Sequence, residues 1–190
     1  LWRSGDQGWG KATIGVVLGL LCLSPVIYGA TRFPLYPVVN DVSTDIVTPL
    51  PLVLKTNATA PDAALQKQII GAFPNVVTRT YKLDAAVVFS LVEQLITERG
   101  WDIRVRRMPG ANDNPGRINA VAMTLFGWRD EIAIKVRPGV NGTMVDMRSA
   151  SLFGVSDLGV NGKRIESFLS DLDKSVAQKF GQSELAAKSH

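Results

Sequence analysis

Between Lys11 and Arg32 lie twenty residues without a charge, ATIGVVLGLLCLSPVIYGAT. At 1.5 Å rise per residue a helix of that length covers about 30 Å, the thickness of a hydrocarbon core. A soluble helix as long would carry a polar face, and this run has none. Residues 12–31 are therefore predicted to form a transmembrane helix, with Trp9 and Tyr28 suited to the two interfacial belts. A cleaved signal peptide fits less well, because a cut after Ala30 would put Tyr28 where a small residue is needed. A buried core helix is the remaining alternative.

Two features modulate that helix. Pro25 lacks an N–H and is expected to kink it or to mark its upper end. Gly15 and Gly19 make the spacing GVVLG, which lets two helices approach closely, although glycine is common in such runs and the spacing also arises by chance. Before the run, residues 1–11 (LWRSGDQGWGK) read as a short polar loop suited to follow an earlier membrane helix. Arg3 and Lys11 outnumber Arg32, the one basic residue on the far side before Lys55. The excess of positive charge puts the loop in the cytoplasm and the rest of the chain across the membrane.

The remaining residues suffice for one ordinary core. The sequence has one Cys (Cys22, inside the apolar run) and one His (His190, the last residue). That removes Ser-His-Asp and Cys-His catalysis, cysteine zinc cages and intrachain disulfides. No metal or cofactor is expected. The net charge of +4 is spread among interspersed acidic and basic residues, which argues against nucleic acid and leans weakly toward anionic partners such as lipid headgroups.

Residues 32–60 hold Pro34, Pro37, Pro49 and Pro51 and the polar cluster NDVSTD, and are read as an extended strap without regular elements. A domain over residues 61–181 follows. Residues 61–72 suit a short helix and 75–82 a strand. Asp84 is the expected N-cap of a helix with the stripe Val88, Leu91, Val92, Leu95, Ile96, ended by Gly100. Strands are expected over 101–108, with Trp101, Ile103 and Val105 on one face, over 117–124, and over 131–137, with Ile132, Ile134 and Val136 inward and the polar set outward. Pro138-Gly139 and Asn141-Gly142 signal a hairpin into a strand over 143–151. Asn161 is expected to cap a last helix with the stripe Ile165, Phe168, Leu169, Leu172, Val176, Phe180. Residues 182–190 read as a flexible tail. The order β-α-β-β-β-β-α with short connections gives an α+β, two-layer domain: an antiparallel sheet of about five strands with helices on one face.

Polar residues concentrate in one stretch. Asp146, Arg148 and Ala150 point to one side of the last strand, and Val145, Met147 and Ser149 to the other. Asp157 and Asn161 flank the next helix start. Arg164 in its first turn opposes the helix dipole unless a carboxylate or an anion compensates. The first reading is a set of ion pairs and caps that fix the strand–loop–helix corner. The second is a pocket for an anionic lipid headgroup, with Arg129, Arg137, Arg148 and Arg164 as donors and Asp130, Asp146, Asp157 and Asn161 around them. The third is catalysis by Ser149, Ser151 or Ser156 with Asp146 or Asp157 as base. Asn57-Ala58-Thr59 and Asn141-Gly142-Thr143 match glycosylation acceptors and are taken as chance.

The stretch GWRDEIAIKVRP, then VDMRSASLFGVSDLGVNGKRI followed by FLSDL, resembles the signature of the domain-of-unknown-function family 1499, as do NDVSTD and Gly100-Trp101. The likeness spans about residues 38–175. Gly154-Val155, where a basic residue is common, and Gly162 depart from it. The family has no established activity or ligand. Its bacterial members often carry the domain after membrane helices. The resemblance thus agrees with the apolar run and leaves function open; with the charge bias, the expectation is a bacterial inner-membrane protein with a periplasmic domain. Its expected work is non-enzymatic: binding, or service as an accessory subunit of a membrane protein complex.

Overall fold

A computed structural model describes residues 8–56, 60–110, 114–124 and 127–188. The chain divides into two compact units, residues 1–36 and 37–190.

The first unit is built on helix α1 (Trp9–Arg32). None of its residues is buried, and by length and composition it suffices to cross a membrane, with a mean hydropathy of 2.0 over its best window. It begins at Trp9, inside what reads as a loop, and runs seven residues past Pro25, so the proline does not end it. The local chemistry explains the tolerance. Pro25 cannot donate to the carbonyl of Leu21, and the Ser24 hydroxyl donates to that carbonyl instead, at 2.7 Å. Of the expected loop, residues 1–7 lie outside the described residues.

The second unit contains β1 (Asp41–Ser43), α2 (Ala63–Ala72), β2 (Arg79–Tyr81), α3 (Ala85–Glu98), β3 (Asp102–Arg107), β4 (Gly116–Met123), β5 (Arg129–Gly139), β6 (Gly142–Ser151) and α4 (Val160–Lys188). The six strands form one sheet in the order β1-β6-β5-β4-β3, all pairs antiparallel, with β2 also pairing β6. β1 takes the Arg148–Ala150 part of β6 and β2 the Thr143–Val145 part, so two short strands share one long edge. The α+β reading holds. The strap is not wholly irregular, because Asp41–Ser43 supplies the sixth strand.

One face of the sheet carries the main core. Ile118 and Ala120 of β4, Ile132, Ile134 and Val136 of β5 and Val145 and Met147 of β6 are buried there. They meet Val88, Phe89, Val92 and Ile96 of α3 and Ile165, Phe168, Leu169 and Leu172 of α4. Each such aliphatic or aromatic side chain contributes roughly 1.5–3 kcal/mol by leaving water. The expected helix stripes hold, except that Phe89 is buried where Leu91 is only half so, and Phe180 is exposed. In β3 the alternation breaks, because a register shift between Ile103 and Val105 leaves Val105 exposed.

The opposite face differs from expectation. It is not solvated, because the strap lies across it. Leu50 and Leu52 pack on Ala133 and Ala150, all four buried. Glu131, in the row expected to point to solvent, is 1 % exposed. Its carboxylate accepts the backbone N–H groups of Val53, Leu54 and Lys55 at 2.6, 2.8 and 3.1 Å. The reason is backbone satisfaction: a strap that docks without strand pairing must find other acceptors for its N–H groups.

Asn161 is not the cap of the last helix but lies inside it. Gly159 holds the N-cap position, and the side-chain acceptor is Asp157, whose two carboxylate oxygens accept from Gly159 N at 2.9 Å and Asn161 N at 2.7 Å. Asp84 holds the N-cap position of α3 without a side-chain capping bond, whereas Asp62 caps α2 by accepting from Leu65 N at 2.8 Å. The last helix continues to Lys188, through most of the expected flexible tail, and residues 189–190 lie outside the described residues. Asn57-Ala58-Thr59 also lies outside them, and Asn141 forms the tip of the β5–β6 hairpin with Val140.

Candidate functional site

The sheet separates the polar residues singled out by sequence into two groups. On the helix side, Arg164 of α4 donates from Nη2 to Asp130 of β5 at 2.5 Å, and from Nη1 to Ser149 Oγ at 2.9 Å and Asn161 Oδ1 at 2.7 Å. Ser149 Oγ donates to the same Asn161 oxygen at 2.6 Å. The Asn161 amide donates to Ser151 Oγ at 2.9 Å and to the Asn40 carbonyl at 3.3 Å. Asp130 is thus the carboxylate that compensates Arg164 in the first helical turn. Asp157 stands beside this network, and burial pushes its carboxyl above the ordinary 3.8 against the pull of its backbone hydrogen bonds.

On the strap side, Arg148 of β6 donates from Nε and Nη2 to the two oxygens of Asp41 at 2.8 and 2.7 Å, and from Nη1 to the Leu50 carbonyl. This fork binds strand, strap and β1 together, and a bidentate pair of this kind holds both partners in a single orientation. Further along β6, Asp146 accepts from Thr78 Oγ1 at 2.6 Å, with Lys135 and Arg137 each at 3.6 Å. Arg129 is exposed at the start of β5. The four arginines therefore do not converge: Arg148 and Arg164 lie on opposite faces, each paired with an aspartate, Arg137 stands against Asp146, and Arg129 is exposed.

Three groups important here, Glu131, Asp41 and Ser43, lie in polar stretches of the sequence but have no place among the site residues expected from it. Glu131 has Asn119 as a further donor at 3.1 Å, and Arg117 fixes Asn119 Oδ1 at 2.7 Å. Asp41 and Ser43 lie in a segment read as strap. A signal for the covered face existed in the alanines at 133 and 150, which sit in the supposedly outward rows of β5 and β6. A small apolar residue there marks a surface on which something packs.

Next to the Arg148–Asp41 fork lies a cavity of about 200 Å³. Val39, Ile46, Leu65 and Ile69 form part of its apolar wall, and Asp41, Ser43 and Arg148 part of its polar floor. Lys55, just outside it, donates to Asn40 Oδ1 at 2.8 Å, and burial holds its ammonium below the ordinary lysine value. Among the described residues, no group of three His, Cys, Asp or Glu side chains is placed to hold a metal. None of their serine hydroxyls bonds Asp146 or Asp157: Ser149 and Ser151 turn to Asn161, and Ser156 Oγ accepts from Leu158 N at 3.4 Å.

The fold and its buried polar pairs coincide with the match to a family model, that of "Protein of unknown function (DUF1499)", over residues 41–172. The chain belongs to the DUF1499 family. The matched span starts at Asp41, the partner of Arg148, and ends at Leu172, a buried residue of α4. The matched DUF1499 span therefore includes β1 and the strap from Asp41 onward as well as the sheet, α3 and α4 as far as Leu172. Gly162 lies where a Cβ would come within 2.4 Å of the Phe73 ring. No curated protein matches the chain. Among solved structures it is similar to the vertebrate conserved region of human METTL16, at 15 % identity and a TM-score of 0.37, covering 60 % of this chain and 92 % of that one.

Proposed function

We propose that this DUF1499 protein is a membrane-tethered module that works by binding, without catalysis, as an accessory to a membrane protein complex. Its helix α1 is the tether, held in a bacterial inner membrane, and its α+β domain stands on the periplasmic side. The observation that carries the reading is α1 itself: an apolar helix of 24 residues with none buried calls for lipid or other helices around it. The positive charges before the run support the orientation. The non-catalytic part is supported by the way the polar network is spent. Arg148, Arg164, Ser149 and Asn161 each bond protein groups, which is how a fold fixes a corner rather than how it activates a nucleophile. The exposed Arg129 leaves room for anionic headgroups at the domain surface as a secondary contact.

Three measurements on the full chain in its native membrane test the three parts. Alkaline carbonate should leave it in the pellet, and release into the supernatant removes the tether. Protease added outside spheroplasts should digest the domain, and protection removes the periplasmic placement. Native mass measurement after mild extraction should show a larger assembly, and a lone monomer in every mild detergent removes the complex.

A further inference from the structure

We infer that the end of the α+β domain at which the chain enters it is a lipid-contacting face, with Trp128, Phe153 and Val155 seated among the headgroups of a bilayer; this rests on α1 being a membrane helix. The strand registers set which residues share that end. Asp41 opens β1 opposite Ala150, near the close of β6. Arg129 opens β5 opposite Met123, at the close of β4, and Leu152 N donates to the Arg129 carbonyl at 3.1 Å. Two turns stand there. In the β4–β5 connection Gly127 takes a φ of 78°, and Thr124 N donates to the Trp128 carbonyl at 2.8 Å, which holds Trp128 at the turn. After β6, Gly154 takes a φ of 85° in a loop clamped onto the first residues of the domain: Ser151 N donates to the Asn40 carbonyl at 2.8 Å and Asp157 N to that of Val39 at 3.0 Å. Phe153 and Val155 lie between those two bonds.

These turns carry apolar side chains into solvent. Trp128 is 68 % exposed, Phe153 77 % and Val155 82 %, with Met123 exposed beside them. Val140, Met108 and Phe180 are exposed toward the other end, so exposure alone does not choose the face. The covalent chain does. Six residues, 33–38, separate α1 from Val39, so even a fully extended connection spans at most about 25 Å. Lipid is thus always within reach of the end that Val39 and Asn40 open, and the tether supplies a local concentration that weak insertion can use. Charge agrees. Arg129 is exposed at this end, while nearby carboxylates are already engaged: Asp41 with Arg148, Asp130 with Arg164, Asp102 with Arg104, and Glu98 with the Gln94 amide. A tryptophan and an arginine side by side suit the headgroup level, where the ring is half wet and the cation meets phosphate. A protein partner fits less well. At roughly 150–250 Å² for each fully buried aromatic side chain, these tips offer less than the ~800 Å² per side of a standard protein interface.

The test uses the full chain, with Cys22→Ser as background, in nanodiscs of phosphatidylethanolamine and phosphatidylglycerol. A nitroxide is attached through Val155→Cys, through Val140→Cys at the opposite hairpin, or through Val17→Cys in α1. Collisions with lipid-soluble oxygen and with a water-soluble nickel chelate report the depth of each label. The labels at 17 and 155 should favour oxygen, and the label at 140 should favour nickel. Phe153→Asp and, on the other turn, Trp128→Asp should each move the label at 155 to the value found at 140 and leave the label at 17 unchanged. A label at 155 as open to nickel as that at 140, with position 17 still in lipid, overturns the inference and leaves the tether standing. A label at 17 in water removes the tether, and the inference with it. Shielding of position 155 from both probes would mean that protein covers this face, and overturns the lipid contact. So does a label at 155 that neither aspartate variant moves.

Discussion

The buried carboxylate of Glu131 accepts the backbone N–H of Leu54 at 2.8 Å, joining residues 77 apart in sequence. It takes the neighbouring N–H groups of Val53 and Lys55 as well, so one side chain satisfies three successive donors of a segment that pairs with no strand there. Glu131→Gln keeps the shape but loses the charge and one acceptor. It should cost about 2 kcal/mol. Denaturant titration measures the loss, and hydrogen exchange should speed up at residues 53–55 more than in β4. Unchanged protection at those amides would mean that the carboxylate does not hold the strap.

Asp130 and Arg164 form the second buried tie, with side chains 3 % and 13 % exposed. Removing either partner alone strands a charge, which costs about 3–5 kcal/mol in buried pairs. Arg164→Met and Asp130→Asn should each destabilise strongly, and the double variant should be less destabilised than the sum by more than about 1 kcal/mol. Strict additivity would show that the two side chains do not act on each other.

Asp157 gives a pH signature opposite to that of a salt-bridged carboxylate. Burial raises its folded-state value above 3.8, so between 3.8 and that raised value the folded chain binds more protons than the unfolded one. Stability from this group therefore falls as pH rises through that window and is regained as pH falls toward 3.8. Urea midpoints of the protein and of Asp157→Asn, compared across pH 4 to about 7, should differ by a slope of that sign. Parallel profiles would remove the assignment.

Gly162 should resist replacement although it lies in a helix. Alanine there gains up to about 1 kcal/mol in helix propensity. Its Cβ, however, would stand 2.4 to 2.5 Å from the Phe73 ring, which is itself 1 % exposed and has little room to move. Overpacking of this kind costs typically 1–3 kcal/mol, so Gly162→Ala should lower the thermal midpoint. Phe73→Leu in the same chain should restore part of the loss, and an additive double variant would contradict the contact.

Gly15 and Gly19 have no atom within 4 Å of an added Cβ. Replacing them with isoleucine meets no steric obstacle among those atoms. If they serve close helix approach, Gly15→Ile with Gly19→Ile should abolish crosslinking of α1 to a neighbouring helix while leaving carbonate resistance intact. Unaltered crosslinking would assign the spacing to chance.

The main core was readable because its signals are periodic. Ile132, Ile134 and Val136 alternate at period two, and Ile165, Phe168, Leu169 and Leu172 recur at helical spacing, so local order and burial agree. The helix that carries Pro25 was readable in kind but not in extent, because the rescue by Ser24 of the Leu21 carbonyl depends on one rotamer. The covered second face was missed for a different reason. A strap held by side-chain acceptors has no period of its own, and Asp41–Ser43 is too short for alternation to stand out. The polar residues are concentrated in sequence and divided in space. Their division by the sheet was half visible, since Asp146 and Arg148 were placed opposite Ser149, but Asp130 and Arg164 find each other only across 34 residues. Arg148 likewise reaches Asp41 across 107, a pairing no local pattern encodes.

That last separation bears on how the chain assembles during synthesis. β6 is the strand that β1 and β2 both need, and it is made after them. Until residue 151 has left the ribosome, two short edges and a proline-bearing segment have nowhere to dock, and closure over such distances is slow. The nascent polypeptide thus carries unpaired backbone from the emergence of β1 to that of β6, and a chaperone acting on that interval would affect its yield more than one acting on the finished domain.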